Sequence, residues 1–270
     1  MRTPVTSFQI QRIENGSIER ADDLLVTEEP LEIRLGHGPI DDRKEIQLSV
    51  TMRTPGDDEE LATGFLYTEG IISDPADLVS IKHCIDVKEE EQGNVIRAEL
   101  DPQIAIDPKN WQRNFYTTSS CGVCGKSSLD AVLVQCRPIA PIGDPDPRVI
   151  ASLPEKMRAA QTVFKHTGGI HAAALFDREG QLLLLREDIG RHNAVDKLIG
   201  AMIRGKIAPQ EKLLLVSGRA GFELVQKCAV AGIPLMAAVG APSSLAVQLA
   251  RSSGLKLIGF LRADRFNIYS

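Results

Sequence analysis

Aromatic side chains are scarce in this chain: Phe, Trp and Tyr make up 4% of 270 residues, with a single tryptophan. Core packing therefore falls to Leu, Ile, Val and Ala, and a 43% hydrophobic content is enough for a sizeable core. Positive charge is also short. The formal net charge is −5, which argues against a general nucleic-acid binder, because such proteins show a basic surface. A local basic pocket remains compatible with that balance. No apolar run approaches the roughly 18 residues of a membrane span. The opening stretch from Met1 to Ser7 leads into no apolar h-region of a signal peptide. The cysteines number five, an odd count, and lack the spacing of a disulfide framework. Together these absences point to a soluble protein of a reducing compartment, the cytoplasm.

What is present divides into three parts. Residues 1–115 read as a smaller β-rich α+β domain. Period-two alternation marks Phe8 to Ile13, Leu31 to Leu35 and Ile46 to Met52, and Asn15-Gly16 is a hairpin signal. Asp57-Asp58-Glu59-Glu60 opens a helix running to about Thr68, with acid at its positive end. An acidic run of this kind marks a helix start rather than a metal site. Strands near 79–87 and 94–100 follow, and Lys88 to Gln92 between them reads as a solvated turn. Residues 116–148 form a loop and connector.

Residues 149–270 alternate regularly. The pattern predicts a helix over Ser152 to Lys165, then a hairpin of Ala172 to Phe176 with Leu182 to Arg186. Helices are expected over His192 to Arg204, Gly221 to Ala231 and Ser243 to Ser253. Strands are expected over Lys212 to Val216, Leu235 to Val239 and Lys256 to Leu261. A hairpin followed by alternating strands and helices implies a mixed sheet with helices on both faces. The fold class is α/β in this half and α+β overall.

The connector carries Thr117-Thr118-Ser119-Ser120-Cys121-Gly122-Val123-Cys124-Gly125-Lys126-Ser127-Ser128. Two thiols lie three positions apart among residues of little packing value. A thiol reacts as its thiolate, which a helix N-terminus or a nearby cation favours. Lys126 to Leu133 reads as a short helix whose positive end would lie close to both sulfurs, and Lys126 adds charge of the same sign. A redox pair of the thioredoxin type normally follows a strand, and Asp107 to Tyr116 carries no strand period. A structural zinc site needs four ligands, and Cys84, Cys136 and Cys228 are isolated in apolar settings. A nucleophilic sulfur that takes and passes on a covalent group suits a glycine-rich loop, which lets another molecule approach closely. Two inert loop thiols are the bland alternative.

The strand ends of the last half form a second candidate. Ligands of open α/β sheets bind beyond the carboxyl ends of strands. Ser217-Gly218-Arg219-Ala220-Gly221 and Gly240-Ala241-Pro242-Ser243-Ser244 each follow a strand and open a helix, an arrangement suited to anions. Phe260-Leu261-Arg262-Ala263-Asp264-Arg265-Phe266 follows the last strand. Arg pairs bidentately with phosphate, Asp can accept from a base edge and Phe can stack. No Walker or dinucleotide fingerprint is present. His166, His171 and His192 lie in this half, and each reads first as a satisfied structural histidine.

With these stretches on the page, the chain resembles the FdhD family of formate dehydrogenase accessory proteins. The resemblance rests on Thr117 to Gly125, Thr167-Gly168-Gly169-Ile170-His171, Glu187-Asp188-Ile189-Gly190-Arg191-His192-Asn193-Ala194-Val195-Asp196-Lys197, Ser217-Gly218-Arg219, Gly240 to Ser244 and Phe260-Leu261-Arg262. It implies a sulfurtransferase-type sulfur carrier with a cysteine persulfide intermediate. Sulfur would come from a cysteine desulfurase and pass to the molybdenum bis(molybdopterin guanine dinucleotide) cofactor for formate dehydrogenase. Cys121 would carry the persulfide and Cys124 would assist. Phe260, Leu261, Arg262, Ala263, Asp264 and Arg265, with Arg219 and Ser243, would hold the guanine nucleotide end, for which GDP is a mimic. The last half also resembles the cytidine-deaminase-like fold, a three-layer α/β/α sandwich. The His-x-Glu and Pro-Cys-x-x-Cys zinc ligands of those enzymes are missing, so neither zinc nor deamination is expected. A homodimer is a further implication of the resemblance. The competing readings are a chaperone that only holds the cofactor and a thiol oxidoreductase.

Overall fold

The computed structural model describes residues 3–104, 106 and 139–270. The chain begins with a hairpin of β1 (Val5–Glu14) and β2 (Ser17–Val26). Asn15 and Gly16 sit at φ 50° and 82°, the left-handed pair that a two-residue I′ turn requires. β1 and β2 pair along their whole length as a two-stranded sheet of their own.

Four strands build the next sheet: β3 (Glu29–His37), β4 (Lys44–Arg53), β5 (Leu78–His83) and β6 (Val95–Leu100), in the order β4-β3-β6-β5. Leu31, Ile33 and Leu35 point inward with Ile46, Leu48, Ile96, Ala98 and Leu100. Helix α1 (Asp58–Thr68) covers them with Leu61, Ala62 and Leu66. The alternation expected over Ile46 to Met52 stops at Leu48. A register shift in the β3–β4 ladder, where Ile33 faces Ser49 and Arg34 faces Gln47, leaves one extra residue in β4. A bulge exchanges the two faces of a strand beyond it. Val50 and Met52 are consequently exposed, while Arg53 turns inward and is 1% exposed.

Arg53 Nε and Nη2 donate to the Asp58 carboxylate at 2.8 and 3.0 Å, and His83 Nε2 lies 3.3 Å from Asp58 Oδ2. Burial works to raise the Asp58 pKa, but hydrogen bonds from His83 and Arg53 outweigh it and hold the carboxyl below its ordinary value. The hydrogen bond to Asp58 raises the His83 pKa. Histidine protonation therefore stabilises the fold. That contribution is complete below the ordinary histidine pKa of about 6.5 and disappears as pH rises through the raised folded value. Melting temperatures measured across the neutral range should fall with pH on this account, and His83→Gln should flatten that part of the profile. An unchanged profile would remove His83 from the balance.

The rest of the chain forms a three-layer sandwich. Its elements are α2 (Pro147–Ala160), α3 (Thr162–Thr167), β7 (His171–Phe176), β8 (Leu182–Asp188), α4 (Arg191–Arg204), β9 (Leu213–Val216), α5 (Phe222–Val230), β10 (Leu235–Ala238), α6 (Ser244–Ser253), β11 (Lys256–Gly259) and β12 (Asn267–Ile268). The sheet order is β12-β11-β10-β9-β7-β8. β9, β10 and β11 are parallel, β7 runs antiparallel to both neighbours, and β12 is antiparallel to β11. Alternate residues serve opposite faces. Ala173, Leu175, Leu214, Val216, Met236 and Ala238 pack with α4, α5 and α6. Ala172, Ala174, Phe176, Leu213, Leu215, Leu235 and Ala237 pack with Ile150, Leu153 and Met157 of α2.

The helix expected over Ser152 to Lys165 is two helices. Asp146 caps α2 by accepting from the Arg148 N–H at 2.8 Å, and Pro147 takes the first turn, where its missing N–H is harmless. The break falls at Gln161. The Glu187 carboxylate reaches across from β8 and accepts from the N–H groups of Val163 and Phe164, each at 2.9 Å. An anion at these free donors starts a new helix there.

α1 and α4 join the two sheets by backbone contact. A methyl group on Gly64 would meet the Asp196 carbonyl oxygen at 1.9 Å, and one on Gly200 would meet that of Glu60 at 1.9 Å. The acidic start of α1 faces this junction. Asp58 serves Arg53, Glu59 bonds Arg204, and Glu60 takes a two-pronged bond from Arg186 at 2.5 and 2.8 Å. Deeper in, Lys227 Nζ donates to Asp196, Glu69 and Thr68 at 2.8–2.9 Å.

Candidate functional site

Three parallel strands, β9, β10 and β11, end at one edge of the six-stranded sheet, where β7 begins and β8 finishes. The segments beyond them are bonded into one layer. Gly240 N–H donates to Gly218 O at 2.9 Å, Ala220 N–H to Ala241 O at 3.1 Å, and Ser243 N–H to Ala220 O at 3.1 Å. Phe260 N–H donates to Gly240 O at 3.0 Å. Contact is too close for a side chain at Gly240, where an added carbon would lie 2.9 Å from Arg219 Cα and from Gly218 O. Arg219, Ser243 and Phe260 are thereby set side by side.

The turn after β11 is fixed from below. Leu261 is completely buried with Ile258 and Ala237, so it anchors the turn from below instead of lining the rim. Arg262 Nη1 donates to Val239 O at 2.7 Å and to Leu261 O at 2.8 Å, and Arg262 N–H closes the turn on Arg265 O at 2.8 Å. Phe260 takes φ 54°, an uncommon conformation for a bulky residue, and its ring is 45% exposed. Ala263, Asp264, Arg265 and Arg219 are exposed as well. Ser243 Oγ accepts from the Ala246 N–H at 3.2 Å and caps α6. The rim so formed offers two exposed guanidiniums, a third that also steadies the turn, a carboxylate and an aromatic face.

Behind the rim, His192 Nε2 lies 2.7 Å from Glu223 Oε2 and ties the first turn of α4 to that of α5. Glu223 was not legible from the sequence; its place at the second position of a helix opened by Gly221 is the only signal it carries. His171 faces Gly218, with ring atoms 3.5 Å from where a side-chain carbon would sit. Burial lowers the His171 pKa, and the nearby Arg191 lowers it further. Glu187, Asp188, Asn193, Asp196 and Lys197 of the long polar stretch are structural: Glu187 starts α3, and the others bond within the α1–α4 junction and the β4 end.

Cys121, Cys124, Lys126 and Cys136 lie outside the described residues. Cys84 is half-buried, and its setting is charged rather than apolar: Arg34, Glu45, Arg97 and Glu32 surround it. Burial pushes its thiol above the ordinary value, which disfavours the reactive thiolate. Cys228 is buried in the main core. Among the described residues, no group of three or more His, Cys, Asp or Glu side chains is placed to hold a metal ion, and no helix is long and apolar enough to cross a membrane.

The FdhD/NarQ family model matches residues 26–270, which takes in both sheets and the strand-end rim. The chain belongs to the FdhD/NarQ family. Among FdhD proteins it is 49% identical over 268 residues to the sulfur carrier protein FdhD of Streptomyces avermitilis, covering 97% of this chain and 92% of that one. It is 52% identical over 252 residues to the sulfur carrier protein FdhD of Mycolicibacterium paratuberculosis, covering 91% and 89%. The fold is similar to the crystal structure of a formate dehydrogenase accessory protein from Desulfotalea psychrophila, with a TM-score of 0.71 and 25% identity over 98% of this chain and 96% of that one.

Proposed function

We propose that this FdhD-family chain carries sulfur as a persulfide on Cys121 and delivers it to a molybdenum cofactor whose guanine dinucleotide end rests on the strand-end rim. The observation that supports this most is the convergence of Arg219, Ser243 and Phe260 to Arg265 on one bonded layer, in a chain about half identical to proteins named sulfur carriers. The rim suits a nucleotide. Arg219 and Arg265 offer charge to phosphates, the exposed Phe260 ring offers a stacking face, and Asp264 offers an acceptor for the amino edge of guanine.

Loading is a thiolate displacement. The Cys121 thiolate attacks the outer sulfur of a persulfide on a cysteine desulfurase, forming a new S–S bond as the old one breaks. The desulfurase leaves as its thiolate, and Cys121 holds the S–SH group. Cys124 assists the second transfer: its thiolate attacks the inner, Cys121 sulfur, and a Cys121–Cys124 disulfide forms as the S–S bond of the persulfide breaks. The outer sulfur leaves as hydrosulfide for the bound cofactor, the substrate on its way to formate dehydrogenase. A cellular thiol reductant then reopens the disulfide.

Intact-protein mass spectrometry after incubation with a cysteine desulfurase and cysteine tests the carrier role. Wild type should gain sulfur and Cys121→Ala should gain none, while both bind GDP equally in calorimetry. Arg265→Ala with Phe260→Ala should weaken GDP at least tenfold and leave sulfur loading intact. Loading on Cys121→Ala at the wild-type level would overturn the assignment of the acceptor.

A further inference from the structure

Neither sulfur loading nor the rim as described uses His171. It is the first residue of β7, at the sheet edge where β9, β10 and β11 end. Its ring packs on the backbone that leads into Arg219: Cε1 and Nδ1 lie 3.5 Å from where a side-chain carbon of Gly218 would sit. Gly218 O in turn accepts from the Gly240 N–H at 2.9 Å, in the layer that also holds Phe260. The imidazole is half-buried, and neither ring nitrogen hydrogen-bonds to another described residue. Both are therefore open to a ligand.

The surroundings favour an anion. Arg191 and His192 come from the first turn of α4, which has no acidic residue and no side-chain cap over its positive end. Arg219 follows Gly218 directly. The carboxylates that approach are engaged: Asp188, opposite His171 in the β7–β8 ladder, is held by Lys197, and Glu223 by His192. Burial first, with Arg191 and His192, lowers the His171 pKa against the pull of Asp188, so the free ring is neutral at neutral pH.

The spacing suits a nucleotide. β7 lies three strand steps from β11, roughly 14 Å at about 4.8 Å per step, comparable to the length of an extended nucleoside diphosphate. A base held by Phe260 and Asp264 beyond β11 would bring its phosphates toward Arg219 and His171.

We infer, on the nucleotide reading of the rim, that His171 extends its anion side: as an imidazolium it donates a hydrogen bond to a phosphate of the bound guanine nucleotide, and binding takes up a proton. A phosphate beside the ring raises its pKa in the complex. Affinity then rises as pH falls through the bound value and levels off below the free one.

Calorimetry of the full chain with GDP, in buffers of different ionisation heat, counts the protons. It is run at about pH 7.5, above the second phosphate ionisation near 6. Wild type should take up protons on binding GDP and none on binding guanosine. His171→Asn should bind GDP about tenfold more weakly, the loss of one charge-assisted hydrogen bond, and without proton uptake. His171→Gln should do the same and serves where Asn destabilises the fold. His166→Asn, on the exposed side of α3, is the control and should keep both affinity and uptake. Wild type that binds GDP without proton uptake, or a His171→Asn protein that keeps the uptake, would overturn the role of His171 and leave the rim standing. No binding of GDP to wild type would overturn the nucleotide reading, and the role of His171 with it.

Discussion

Lys197→Met is expected to lower the unfolding free energy by about 3–5 kcal/mol at neutral pH. Lys197 and Asp188 are 1% and 0% exposed, with Lys197 Nζ 2.8 Å from Asp188 Oδ2. The same ammonium donates to Thr54 O at 2.8 Å. Asp188 also accepts from the N–H groups of Thr54 and Gly190 and from Asn193 Nδ2, at 3.1, 2.8 and 3.2 Å. Removing the ammonium leaves a buried carboxylate held by neutral donors alone. Burial already pushes the Asp188 pKa upward, with Lys197 as the main counterweight, and without that counterweight it moves further up. A carboxyl raised in the fold lowers stability above its unfolded value of about 3.9, and the penalty grows until pH passes the folded value. The loss should therefore shrink as the variant is taken from neutral toward acid pH. Chemical denaturation at both pH values checks this. Asp188→Asn in the Lys197→Met background should recover part of the loss, because a neutral amide has no charge to strand. Equal losses at both pH values would show that Lys197 matters through packing and not through charge.

Gly200→Ala is expected to cost about 3 kcal/mol, although alanine gains about 1 kcal/mol over glycine in a helix interior. The added carbon would sit 1.9 Å from the Glu60 carbonyl oxygen. That obstacle is backbone on the facing helix, so no rotamer change relieves it and α1 must move away from α4. Separation would also strain the Glu60–Arg186 bonds at 2.5 and 2.8 Å. Gly64→Ala should behave alike, because its carbon would meet the Asp196 carbonyl oxygen at the same distance. Gly169→Ala is the control. Its nearest neighbour would be Thr167 O at 3.8 Å, and the change should stay within about 0.5 kcal/mol. Thermal melts of the three variants decide the matter. A Gly200→Ala protein as stable as wild type would mean that the helices can separate at little cost.

Residues far apart in the chain explain where sequence reading stopped. The acidic run at Asp57 to Glu60 announces a helix start, and α1 begins there. Its partners Arg186 and Arg204 could not be read from it, since they lie 126 and 145 residues further on. The bulge after Leu48 was equally hidden, because Ile46 to Met52 alternates without a break and only the pairing with β3 shows the extra residue. Glu187 stands in a polar stretch at the start of a helix in the sequence, yet its carboxylate divides a helix on another element. Ser243 was expected at the rim and is there, but its hydroxyl also caps α6.

Local pattern alone determined the hairpin at Asn15-Gly16, the strand and helix alternation after residue 149, and the presence of Arg219, Ser243 and Phe260 to Arg265 beyond strand ends. Each is written in neighbouring residues, through the side-chain period of a strand or helix and the backbone freedom of glycine and asparagine. Tertiary structure decided the rest. It turned Arg53 inward, buried Asp188 with Lys197, paired His192 with Glu223 and placed the Phe260 turn one hydrogen bond from Gly240. These outcomes depend on which distant groups meet. A buried charge or a close backbone approach is stable only once its partner from elsewhere in the chain is in place.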